Sequence, residues 1–141
     1  MPERHENPEA DLAERVAYYI ERLRGGDDDA WYRLVEAEDA AVPLLIHAAC
    51  AETDAEVRAE LVEIIGQHRL ASTVGFLAQC LEDRDIEVRQ QAIDGLLAIS
   101  SADARRALQT ALERCRSLAG DSAEFGAYLQ EAIELMDEWQ R

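Results

Sequence analysis

His47 and Cys50 stand three residues apart, a spacing that places an imidazole and a thiol on one face of a helix. Both are zinc ligands, but a tetrahedral site needs three or four convergent donors. Cys80 falls opposite Ala48 once the internal repeat is aligned, so it points elsewhere, and no metal site is expected. The three cysteines, Cys50, Cys80 and Cys115, form no Cys-x-x-Cys pair, and the odd count reads as reduced thiols. Glu60 with Glu63, and Asp83 with Asp85, resemble the carboxylate pairs of general acid–base catalysis. A working acid needs a desolvated setting that raises its pKa. These acids fall on solvent faces or helix caps, and with 30 acids in the chain such pairs arise by chance. No glycine-rich phosphate loop, Ser–His–Asp order or His-Glu-x-x-His motif occurs. The chain reads as a non-enzyme that needs no cofactor.

The elements that must position these side chains are helices. Apolar residues make up 48% of the 141-residue chain, enough for a packed core, and aromatics only 6%. Leu12, Val16, Tyr19, Ile20 and Leu23 recur at helical spacing after a start signal at Asn7-Pro8, and Gly25-Gly26 stops them. Further helices follow over 27–37, over 38–52 with Pro43 near its first turn, from Thr53 or Asp54, over 71–82, from Asp85, and from Asp103. The last opens after Gly120 with Asp121 or Ser122 as its cap. Thr53-x-x-Glu56 fits a capping box, and Gly66 to Leu70 reads as a turn. Eight helices and no strand are expected.

One phrase is written twice. Asp54, Val57, Arg58, Leu61, Leu77 and Leu81 map by 31 positions onto Asp85, Val88, Arg89, Ala92, Leu108 and Leu112. Self-similarity at a fixed period marks a stack of helical hairpins, each too small to bury its apolar stripe alone. A fainter first copy places Ala30 and Leu34 opposite Val57 and Leu61, with Trp31 in the Arg58 and Arg89 column. Residues 8–24 and 122–139 do not repeat and suit capping helices. The whole chain, 1–141, is read as one domain with repeats at 28–51, 54–82 and 85–118.

The phrases Asp54-Ala-Glu-Val-Arg58 and Asp85-Ile-Glu-Val-Arg89, with the second-helix openings "AVPLL" and "STVGFL", resemble the HEAT-repeat family, in the short form known from phycobilisome-lyase-related proteins. The resemblance covers roughly residues 28–118. It implies an all-α fold, a right-handed α-α superhelix of about three hairpins. It also implies that Asp54, Arg58, Asp85 and Arg89 tie neighbouring helices into a ladder. Lyase-type relatives help attach bilin to other proteins, so a subunit or chaperone of a bilin lyase is the alternative function that the resemblance offers.

Charge narrows the partners. Thirty acids oppose fourteen bases, all arginine, for a net charge of −16. Nucleic-acid binding draws affinity from cations on phosphate, and anionic membranes repel an acidic surface, so neither is expected. No apolar run reaches the roughly 20 residues of a membrane span. The polar N-terminal stretch reads as neither a signal peptide nor a presequence, and a cytoplasmic setting is expected. A basic protein partner fits. The second helices of the first two hairpins carry no formal charge. Their columns Pro43, His47 and Cys50, then Gly75, Gln79 and Glu82, then Arg106, Thr110 and Glu113, are expected to line the concave side and bind the partner. Trp31, Tyr32 and Trp139 are further contact candidates. The expected function is a protein-binding scaffold, in one version an inhibitor or immunity protein that neutralises a cationic toxin.

Overall fold

The computed structural model describes residues 8–117 and 122–140. Eight α-helices make up the described residues, with no strand among them: α1 (Pro8–Arg24), α2 (Asp28–Glu36), α3 (Val42–Ala51), α4 (Ala55–Gln67), α5 (Val74–Cys80), α6 (Ile86–Ile99), α7 (Ala102–Ser117) and α8 (Ser122–Trp139). Single 3-10 turns, Asp39–Ala41 and Ala71–Thr73, lead into α3 and α5. Asn7, Gly120 and Asp121, expected as start, stop and cap signals, lie outside the described residues.

Local chemistry sets the helix starts. The carboxylate of Asp54 accepts from the backbone N–H groups of Glu56 and Val57, at 2.9 and 3.2 Å. Asp85, thirty-one positions on, accepts from Glu87 N–H at 2.9 Å. Each satisfies donors that a helix N-terminus leaves without an intrahelical partner. Asp54 is thus the cap, and the capping box at Thr53 does not form. Asp27 and Ser101 cap α2 and α7 in the same way. Ser100 ends α6 with φ of +54°, a left-handed turn that stops the helix.

The hairpins α2/α3, α4/α5 and α6/α7 stack so that α2, α4 and α6 form one layer. Helix α8 continues that layer, packing on both α6 and α7, while α1 covers α2 and α3 at the other end. Helix α4 is buried on two sides. Leu61, Ile64 and Ile65 join a cluster with α1, α2 and α3, whereas Ala59 and Val62 join a second with α5 to α8. Each fully buried leucine, such as Leu61, Leu96 or Leu108, contributes about 1.5–3 kcal/mol relative to exposure.

Two layer neighbours approach unusually closely. A Cβ placed on Gly66 of α4 would lie 2.9 Å from the Cα of Gly95 in α6. Gly66 is therefore not part of a turn. It is a buried residue within α4, at the crossing of two helices, and the chain turns later, through Arg69 at φ +52°.

Candidate functional site

The site is built from the second helices. Pro43 stands in the first turn of α3, where its missing N–H costs nothing, and His47 and Cys50 follow at i+4 and i+7. Gly75 and Gln79 occupy the same face of α5, with Glu82 just beyond it. Arg106, Thr110 and Glu113 lie on α7. All nine side chains are exposed. Neither α3 nor α5 carries an acidic or basic formal charge.

The structure gathers only part of this set into a concavity. Gln79, Glu82, Arg106 and Thr110 line a groove of about 680 Å³ between α5 and α7. Pro43, His47, Cys50, Gly75 and Glu113 lie outside it. The groove is also lined by Leu81 and Phe125, which periodicity assigns to the core, and by Arg89, for which the family resemblance implies a ladder role. Two ion pairs border it: Arg114 Nη1 to Glu82 Oε2 at 2.7 Å, and Arg106 Nη1 to Asp103 Oδ1 at 2.8 Å.

The ladder differs from expectation. Asp54 and Asp85 are caps, and among the described residues their carboxylates form no ion pair with an arginine. The ladder acids stand two residues earlier, at Glu52 and Asp83, which also matches the 31-residue period. Each accepts from the backbone N–H of the cap residue that follows it. Arg24, from the end of α1, donates to Glu52 at 2.9 Å. Arg58 grips Asp83 with two hydrogen bonds, Nε to Oδ2 at 2.8 Å and Nη2 to Oδ1 at 3.0 Å, and gives a third from Nη1 to the Glu52 carbonyl. The guanidinium holds the Asp83 carboxyl below the usual carboxylate range, against the opposing effect of burial.

Arg89 has no such rung. The position matching Asp83 is Arg114, a like charge. The guanidinium of Arg89 instead lies over the Phe125 ring, with Cζ 4.7 Å from the centroid. Its Nε is closed to solvent and has no hydrogen-bond partner among the described residues.

In the first repeat, other residues replace the ladder. Trp31, in the arginine column, is half-buried and donates its indole N–H to Glu63 at 3.0 Å. His68 follows the last turn of α4, its ring Nδ1 3.0 Å from Asp39 Oδ1 and its Nε2 3.0 Å from the Leu34 carbonyl. Trp31 is thus held within the fold, whereas Tyr32 and Trp139 are 58% and 60% exposed.

Cys80 and Cys115 are half-buried and Cys50 is exposed, all three as free thiols. Burial, with the charge of Asp83 adding to it, pushes the Cys80 thiol up to about 12. Among the described residues no group of three or more His, Cys, Asp and Glu is placed to hold a metal ion. None of their helices is long and apolar enough to cross a membrane.

A family model for HEAT repeats matches residues 42–119, more than half of the chain. The chain belongs to the HEAT-repeat family. The match begins at α3, and so includes the two repeats that carry the Asp–Glu–Val–Arg phrases. No curated protein and no solved structure matches the chain. HEAT repeats generally mediate protein–protein interaction, and nothing in the match selects the phycobilisome-lyase-related branch.

Proposed function

We propose that this protein is a non-enzymatic scaffold that binds another protein across the second helices α3, α5 and α7. The observation that carries the reading is the exposed, uncharged face of α3 and α5 on a chain of net charge −16. Desolvating that face costs less than desolvating the surrounding carboxylates, so it is the surface from which water is most readily removed. The acidic surround attracts a basic partner and excludes acidic ones, acting mainly on the rate of encounter. Inhibition of a cationic protein, as an immunity protein does, is the concrete form of this role.

Partner capture at two salt concentrations, followed by affinity measurement with the identified partner, tests the proposal. His47→Glu and Gln79→Arg are expected to weaken binding while helicity by circular dichroism stays unchanged. Unaltered affinity in both variants would move the interface to the acidic faces of α2, α4 and α6 or to the end helices.

A further inference from the structure

Arg89 is the one member of the ladder column that keeps its arginine and loses its acid. In the preceding rung, Asp83 occupies both Nε and Nη2 of Arg58. At the following rung Arg114 stands at the acid's position, and Arg114 is drawn away to Glu82. A buried donor without an acceptor is costly, and a guanidinium is built for bidentate carboxylate contact. The Phe125 ring covers a face of the guanidinium but supplies no acceptor for Nε.

The groove over Arg89 has a chemical character of its own. It is lined by three arginines, Arg89, Arg106 and Arg114, against two acids, Glu82 and Asp103. Both acids are paired with an arginine, which leaves one positive charge in a strongly acidic protein. Ala107, Ala111, Leu81 and Phe125 make much of the wall apolar. Its volume of about 680 Å³ falls within the roughly 300–1,000 Å³ typical of small-molecule sites. One surplus positive charge with two acids close by favours a monoanion over a phosphate dianion, and the apolar wall favours a ligand with a hydrocarbon body.

We infer that this groove binds a small amphipathic monocarboxylate, whose carboxylate pairs with the Arg89 guanidinium where that side chain lines the groove, and whose apolar body lies along Leu81, Ala107, Ala111 and Phe125. The site is separate from the uncharged α3 face, and His47 takes no part in it.

Titration of the ¹⁵N-labelled full chain tests this, with octanoate as the probe and octylamine and acetate as the contrasting arms. The Arg89 Nε–Hε resonance, assigned by its loss in Arg89→Lys, is expected to shift saturably with octanoate, together with the amides of Ala107 and Ala111. Octylamine lacks the carboxylate and acetate lacks the body, so neither shifts these signals at the same concentration. Arg89→Gln is expected to weaken octanoate binding by about tenfold or more, since a hydrogen-bonded charge contact is lost. If the Arg89 resonance stays still throughout, or octylamine reproduces the octanoate shifts, the site does not exist. Should Arg89→Gln fail to fold, the wild-type titration alone decides, and His47→Glu should bind octanoate unchanged.

Discussion

Gly66 and Gly95 face each other where α4 crosses α6, and a Cβ on either would press on the other's Cα, at 2.9 Å from Gly66 and 3.2 Å from Gly95. The nearest contact of the Cβ added at Gly95 is Leu77 Cδ1, at 3.1 Å. The two glycines therefore let the repeats approach backbone to backbone. Gly66→Ala is expected to lower stability by about 1–3 kcal/mol, the usual cost of overpacking, less up to about 1 kcal/mol from better helix propensity. Gly95→Ala should cost less, because its tightest contact is a leucine side chain that can move and its backbone contact, at 3.2 Å, is looser than the 2.9 Å met from Gly66. Urea unfolding of both variants checks the order.

Arg58 and Asp83 join neighbouring repeats through a half-buried bidentate pair, with side chains only 16% and 17% exposed. Asp83→Asn is expected to cost about 1.5–3 kcal/mol, as for other hydrogen bonds between charged groups. The Asp83 carboxyl is depressed in the folded state, so its contribution is complete above the ordinary value of 3.8. It is lost as pH falls through the lower folded value. The gap between wild type and Asp83→Asn should be constant from pH 7 to about pH 5 and close only below about pH 4.

Glu60 behaves in the opposite sense. Burial raises its carboxyl, and the neighbouring charges of Glu56 and Glu63 raise it further. An acid raised in the folded state weakens the fold at neutral pH, and protonation relieves this as pH falls through the raised value. Glu60→Gln is therefore expected to raise Tm at pH 7 and to make Tm less dependent on pH as pH falls from 7 to the ordinary carboxyl value of 4.5. An unchanged pH dependence would contradict the assignment.

The thiols should separate by reactivity. The thiolate is the nucleophile, and Cys80, pushed up to about 12, holds almost none at pH 8. Cys50 is exposed. Iodoacetamide at pH 8 should modify Cys50 well before Cys80, with the order read by mass spectrometry of the native protein over time. Equal rates would show that the end of α5 opens readily.

The parts of the fold legible in the sequence are those set by nearby residues. Asp54 and Asp85 announce helix starts because their partners lie two and three residues on. Val57, Val88, Leu77 and Leu108 announce burial because helical periodicity is local. The ladder is half legible: Arg58 stands out by repetition, but nothing local distinguishes its acid, Asp83, from the cap Asp85 two residues on. Gly66 reads as the start of a turn in the sequence, since its reason for being glycine is Gly95, on another helix. Arg89 could not be told from Arg58, because the difference lies at Arg114 and Phe125, far along the chain. The groove was invisible for the same reason, although Gln79, Glu82, Arg106 and Thr110 mark its rim.

The central claim is that the face carrying His47 meets a protein partner and the acidic face carrying Glu56 does not. Site-specific photo-crosslinking tests it most directly, with a benzoylphenylalanine placed at position 47 in one variant and at position 56 in another. The account predicts a discrete protein adduct from position 47, carrying a basic protein identified by mass spectrometry, and none from position 56. An adduct from position 56 with none from position 47 would contradict it.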